Sequence, residues 1–276
     1  MNGTRRTFLK IPRNAIHIAV GAAIQAGRII MDGYGKALHV EAKQQHDFVT
    51  EIDKRSEESI INYIKRAFPK HEILAEESGQ GQNVSSYRWI IDPLDGTTNF
   101  IHGVPMFAVS IALEVDGELQ IGVVYEPHRK ELFRAEKGKG AFLNDRKISV
   151  SSTAERSRCL LATGFPFRDY ALLDDYLRIF KAFMVQTSGI RRPGSAALDL
   201  CYLACGRFDG FWELNLKPWD IAAGTLIITE AGGQVTNFAG GTDFLYRGNV
   251  IGSNRVIHSW MLETVKDILR EKINEL

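Results

Sequence analysis

Asp92 and Asp95 stand three residues apart in the stretch "DPLDGTTNF", with a proline between them and Gly96, Thr97 and Thr98 directly behind. A simple turn needs one Asp or Asn and one Gly, and this stretch holds more acid and hydroxyl than that. It follows "YRWII", an apolar run with the character of a buried strand. Two carboxylates at a strand mouth repel each other unless positive charge lies between them, and a metal ion is the simplest source of it. Three more carboxylates stand at element ends: Asp53 closes "DFVTEID", Glu76 opens "EES", and Asp220 follows Pro218 and Trp219 at a helix start. Each alone has a structural explanation. Asp53, three residues after Thr50, fits a capping box; Asp220 suits the positive end of a helix dipole; Glu76 suits solvent.

As a set they fit different chemistry. Mg²⁺ prefers hard oxygen ligands, and phosphate ester hydrolysis often uses two ions roughly 3.5–4 Å apart that clamp the attacking and leaving oxygens. Glu76, Asp92, Asp95 and Asp220 supply enough carboxylates, with Asp92 as the bridge and Pro93 turning the Leu94 carbonyl toward an ion. The "GTT" segment, at the start of a predicted helix, offers free N–H groups to a phosphate, and Gly96 permits close approach. An EF-hand is the rival oxygen site, but the segment lacks its third acid, its spacing and its closing glutamate.

The elements that must position these groups follow from periodicity. Residues 14–32 form a helix with Asn14, His17, Gly21, Gln25, Arg28 and Asp32 along one polar stripe, and a second helix carries Ile60, Ile61, Ile64 and Phe68 on one face. "HEILAEESG" is a short strand ending in acid, and residues 106–138 alternate β-rich runs with turns, which predicts an antiparallel meander. Beyond it come a strand at "RCLLATGF", helices at "LLDDYLRIFKAF" and "SAALDLCYLACG", and a strand at "RFDGFWEL". A helix opens at "KPWDIAAG" and stops at Gly232-Gly233, "VIGSN" is a late strand, and a last helix begins near Val256. The expectation is an α+β fold in one catalytic domain, residues 1–276, with two sub-halves meeting near residue 145.

Bulk properties narrow the function. With 34 basic against 33 acidic side chains the net charge is +1, which gives no electrostatic footprint for nucleic acid or an anionic membrane. Cys159, Cys201 and Cys205 are an odd number in 276 residues, so a disulfide framework is not expected and small apolar core positions are. "TRRTFLK" at residues 4–10 has the form of a twin-arginine export signal, but the polar stripe behind it is that of a folded helix, and no segment approaches the length of a membrane span. The expected location is cytoplasmic.

"DPLDGTTNF" with "WDIAAGTLIITEAGG" resembles the paired signatures of the inositol monophosphatase family, and "DFVTEID", "AEES" and "GIRRPGSAALDLCYLACGRFDGFWE" match its intervening blocks in order. The "ATGFPF" pattern resembles the bacterial branch, and residues 1 to about 10 fall outside the likeness. The resemblance implies the αβαβα layered sandwich of sugar phosphatases, a homodimer, sensitivity to lithium, and Mg²⁺ as cofactor. It implies one ion on Glu76, Asp92 and the Leu94 carbonyl, a second on Asp92, Asp95 and Asp220, and a third, weaker one near Glu76. Asp53 and Thr97 would position the attacking water, Gly96, Thr97 and Thr98 would hold phosphate, and Gly194, Ser195, Ala196 and Glu213 would contact the substrate alcohol. The expected reaction is hydrolysis of inositol monophosphate by direct attack of water. Fructose-1,6-bisphosphatase, histidinol-phosphatase and nucleotide 3′-phosphatase activities are the rivals within the enzyme class, and a regulatory or RNA-associated binding module is the rival outside it. Arg191 and Arg192 fit either substrate phosphate or a subunit contact, and His46 and His102 fit loop roles.

Overall fold

The computed structural model describes residues 11–37, 39–44, 47–167 and 170–275, so "TRRTFLK" and His46 lie outside the described residues. Among these, strands β1 (Val40–Gln44) and β2 (Asp47–Thr50) form a hairpin. The larger sheet is built from β3 (Glu72–Ala75), β4 (Gly79–Gln80), β5 (Tyr87–Asp95), β6 (Ala108–Val115), β7 (Glu118–Glu126), β8 (Glu131–Glu136), β9 (Gly140–Leu143) and β10 (Arg146–Ile148). Its order is β10-β9-β8-β7-β6-β5-β3-β4, and β5 to β10 run as an antiparallel meander that extends the one expected over residues 106–138 at both ends. The smaller sheet holds β11 (Leu160–Thr163), β12 (Gly189–Arg191), β13 (Gly210–Glu213), β14 (Gln234–Thr236) and β15 (Val250–Ser253) in the order β12-β11-β13-β15-β14.

Helices make the other layers. α1 (Ala15–Gly33) and α2 (Glu51–Ala67) cover the outer face of the larger sheet, and the short α3 (Thr97–Ile101) follows β5 directly. α4 (Leu173–Met184) and α8 (His258–Leu269) cover the outer face of the smaller sheet. α5 (Ala196–Ala204) and α6 (Pro218–Glu230) lie between the two sheets, and α7 (Phe244–Arg247) is a single turn before β15. The result is the αβαβα sandwich. Strand alternation separates its cores: Trp89, Ile91, Val109 and Ile111 face α1 and α2, whereas Ile90, Ala108 and Ala112 face α5 and α6. A helix enclosed between two sheets must be apolar on every side, and α6 is buried from Ile221 through Ile228.

The polar stripe of α1 lies where its spacing puts it. Asn14, His17, Gln25, Arg28 and Asp32 are exposed and Gly21 is half-buried, while Ala15, Ala19, Ala22, Ala23, Ala26 and Ile30 are buried. One expectation needs correcting: by length and composition α1 is long and apolar enough to cross a membrane. Its small apolar face is packed against the protein, because alanines at helical spacing let α1 sit close to β6, β7 and α2. Cys159, Cys201 and Cys205 are free thiols, the first two buried.

His258, at the start of α8, ties that helix to the smaller sheet. Its Nδ1 lies 2.9 Å from Ser253 Oγ and its Nε2 3.0 Å from Thr236 Oγ1. Burial holds the ring neutral and lowers its pKa from about 6.5 to about 4. Because the folded value lies below the unfolded one, the neutral ring's contribution is complete above about pH 6.5 and is lost as pH falls through about 4. Chemical denaturation across that window should show a loss of roughly 3 kcal/mol that His258→Gln lacks. Equal pH dependence in both proteins would remove His258 as the cause.

Candidate active site

β3 and β5 are parallel neighbours, as are β11 and β13, and their carboxyl ends open toward the N-termini of α5 and α6. Ligand sites in layered α/β folds commonly lie outside such strand ends. Here they enclose a cavity of about 390 Å³ lined by Glu76, Asp92, Leu94, Asp95, Gly96, Thr97, Thr98, Gly194, Ser195, Ala196, Glu213 and Asp220. Those residues come from five separate parts of the chain. Asp53 stands behind Thr97, fully buried.

The geometry of "DPLDG" depends on a bulge. In a regular strand, residues three apart point to opposite faces. In β5, Asp92 pairs with Ser110 but Asp95 pairs with Ala108, so the strand gains one residue against β6 between the two aspartates. The extra residue turns both toward the cavity. Pro93, which cannot donate to a ladder, sits within the bulge, and its carbonyl accepts a 2.8 Å hydrogen bond from Ser56 Oγ. Gly96 then takes φ +92 at the start of α3, where a Cβ would stand 2.7 Å from the Met106 carbonyl oxygen.

Three of the carboxylates are held from behind, and Glu76 is fixed through its backbone. Asp92 is 2% exposed and accepts the Leu94 N–H at 3.0 Å. Asp95 Oδ2 accepts from Ser195 Oγ at 2.5 Å and from the Ala197 N–H at 2.8 Å, so the N-terminus of α5 grips it. Asp220 Oδ2 accepts the Lys217 N–H at 2.6 Å, and the Glu76 N–H bonds to the Ile91 carbonyl at 3.2 Å. Burial, then the charges of Glu76, Asp95 and Asp220, push Asp92 well above the usual carboxylate range. Burial lifts Asp95 to about 6 against the hydrogen bonds from Ser195 and Ala197.

Asp53 has two attachments at once. Its Oδ2 takes the Thr50 N–H at 2.9 Å and the Thr50 hydroxyl at 2.6 Å, which closes the capping box of α2. Its Oδ1 accepts from Thr97 Oγ1 at 2.9 Å, and that hydroxyl also lies 3.0 Å from the Leu94 carbonyl oxygen. The structural and chemical readings of Asp53 therefore coexist. Burial raises its pKa, opposed by the bonds from Thr50 and Thr97.

Glu213, at the end of β13, lies over Gly164, where any Cβ would fall within its carboxylate. The glycine of "ATGFPF" thus leaves room for Glu213 in the wall. Arg192 also lines the cavity, with its guanidinium 5.1 Å over the Phe167 ring, whereas Arg191 is exposed on β12 and His102 is exposed at the end of α3.

Several supporting residues escape a motif-based reading. Glu57 accepts the Glu77 and Ser78 N–H groups at 2.8 and 2.9 Å, ordering the loop that begins with Glu76. Asn99 donates to the Met106 and Pro193 carbonyls at 2.8 and 2.9 Å and joins α3 to the segment before α5. Asp199, on α5, is 1% exposed and lines the cavity. A signal for Glu57 did exist: Asp53, Ser56 and Glu57 interrupt the apolar face that continues through Ile60 and Ile64.

Among the described residues no three His, Cys, Asp or Glu side chains stand in metal-ligating geometry. The fit to an ion therefore rests on donor chemistry. Four carboxylates and a backbone carbonyl are hard oxygen donors suited to Mg²⁺, and their crowding around buried Asp92 is relieved by a cation.

The family model described as "Inositol monophosphatase family" matches residues 12–270. The putative Nus factor SuhB of Neisseria meningitidis serogroup B is 47% identical over 253 residues, covering 91% of this chain and 97% of that protein. The extragenic suppressor protein suhB from Bartonella henselae aligns with a TM-score of 0.88 at 46% identity, over 91% of this chain and 97% of its own. An inositol monophosphatase from Anabaena (Nostoc) aligns with a TM-score of 0.80 at 40% identity, over 91% of this chain and 95% of its own. With a family match over nearly its whole length and relatives this similar, the chain belongs to the inositol monophosphatase family.

Proposed function

We propose that this protein is a Mg²⁺-dependent phosphatase that hydrolyses inositol monophosphate to inositol and phosphate. The observation that carries the proposal is the Asp53–Thr97 hydrogen bond at the edge of a cavity walled by Glu76, Asp92, Asp95 and Asp220. Glu76, Asp92 and the Leu94 carbonyl would hold one ion, and Asp92, Asp95 and Asp220 another. Bound there, Mg²⁺ would neutralise phosphoryl oxygen charge and make a coordinated water more acidic. The chain's own groups do the rest. Thr97 donates its proton to Asp53, so an oxygen lone pair is free to accept a hydrogen bond from water and orient it. Asp53, raised by burial, is a stronger base than an exposed aspartate. Gly96, Thr97 and Thr98 would receive the phosphate, and Gly194, Ala196 and Glu213 the alcohol. The Ser195 hydroxyl is committed to Asp95, so its part is to steady that carboxylate.

A panel of phosphate esters assayed with and without Mg²⁺ tests the proposal; no Mg²⁺-dependent turnover of any polyol phosphate would reject it. Glu213→Gln should lower kcat/KM for inositol monophosphate by about 10–150-fold, the worth of charged hydrogen bonds to two hydroxyls. It should barely affect p-nitrophenyl phosphate, which lacks them. Equal losses on both substrates would place Glu213 in the water or metal machinery instead.

The name of the Neisseria relative supports a second reading, a regulatory or RNA-associated binding module. An Asp95→Asn allele that fully replaces the wild type in its native cell would favour it. A homodimer and a cytoplasmic location are further parts of the proposal, open to sedimentation and cell fractionation.

A further inference from the structure

Asp199 belongs to none of the groups assigned above. It is one turn into α5, with its N–H bonded to the Ser195 carbonyl at 3.0 Å. The side chain is 1% exposed and forms part of the cavity wall, and its Oδ1 has no hydrogen-bond partner among the described residues. A buried carboxylate oxygen without a donor is destabilising, so such a group calls for a ligand or water that completes it. The charged groups it senses are Glu213, Asp95 and Arg192. Asp95 is held by the start of α5, and Arg192 lies over Phe167.

We infer that Asp199 is a substrate-binding residue that, with Glu213, hydrogen-bonds neighbouring hydroxyls of the substrate alcohol. Burial, then the charges of Glu213 and Asp95, push Asp199 well above the usual carboxylate range, so its carboxyl can donate to one hydroxyl while Glu213 accepts from the next, which suits a vicinal diol. A cavity of about 390 Å³ suits one ring-sized ester. The inference rests on the phosphatase reading and deepens it.

The test compares kcat/KM for inositol monophosphate and p-nitrophenyl phosphate, both with Mg²⁺, in wild type, Asp199→Ala and Asp199→Asn. In Asp199→Ala the preference for inositol monophosphate over p-nitrophenyl phosphate should fall about 10–150-fold, with the loss in KM rather than kcat. Asp199→Asn keeps the shape and one acceptor, so it should recover part of that preference, and it serves as the reference should the alanine variant fold poorly. An unchanged preference overturns the inference, whether or not the melting temperature moves, because a purely structural role alters stability without altering choice. A wild type that hydrolyses none of the polyol esters rejects the phosphatase reading itself. A wild type that prefers inositol monophosphate, with an alanine variant that prefers it equally, rejects only the role of Asp199.

Discussion

Asp95→Asn should fold normally and lose phosphatase activity by roughly 10²–10⁴-fold, the expected cost of several kcal/mol of metal-assisted stabilisation. The scaffold holds Oδ2, which takes the Ser195 hydroxyl and the Ala197 N–H. Asparagine can put its carbonyl oxygen there and keep both bonds, which leaves an amide nitrogen in place of the proposed ligand oxygen. A melting midpoint close to wild type should therefore accompany the lost activity. Thermal shift supplies a readout besides turnover. Saturating Mg²⁺ should raise the wild-type midpoint, since whatever binds only the folded state stabilises it, and the variant should need more Mg²⁺ for the same rise. Turnover near the wild-type rate would show that the carboxylates of Asp95 and Asp220 do not share an ion.

Asp53→Asn should lower kcat by about 10²–10⁴-fold, the usual worth of a positioned acid–base group. The geometry gives the reason. Thr50 donates both its N–H and its hydroxyl to Oδ2, so an asparagine keeps its single oxygen on that side. Its NH₂ then faces Thr97 and reverses the hydrogen bond found at 2.9 Å. Thr97 becomes the acceptor, so the amide occupies one of its lone pairs and its own proton turns outward, where the proposed mechanism needs an acceptor for water. Thr97→Ser keeps a hydroxyl and should retain much of the rate, whereas Thr97→Val should behave like Asp53→Asn. If Asp53→Asn turns over normally, the aspartate serves only to cap α2.

Local sequence determined most of the elements and the composition of the site. The 3.6-residue stripe of α1, the alternating meander and the uniformly apolar run of α6 were legible because each depends on neighbours along the chain. The hairpin β1–β2, the short strands β12 and β14 and the single turn α7 were not. Segments of three to five residues carry too little periodicity, and β12 is a strand only beside β11, which is remote in sequence. Residue type and order likewise indicated hard oxygen chemistry at Glu76, Asp92, Asp95 and Asp220, because carboxylates at element ends are a local pattern.

Tertiary structure decided what local pattern could not. Three-residue spacing puts Asp92 and Asp95 on opposite faces of a strand, and only the bulge against β6 brings both to the cavity. Asp53 acts at the cap of α2 and on Thr97 together because α3 is carried beside α2 by the bend after β5. Asp199 sits in an apolar helical run, "SAALDLCYL", that marks a core helix by itself. Only the approach of β13, carrying Glu213, and of the loop with Arg192 turns its position into part of a cavity wall. Long-range packing fixes which buried polar groups meet, and no local period records it.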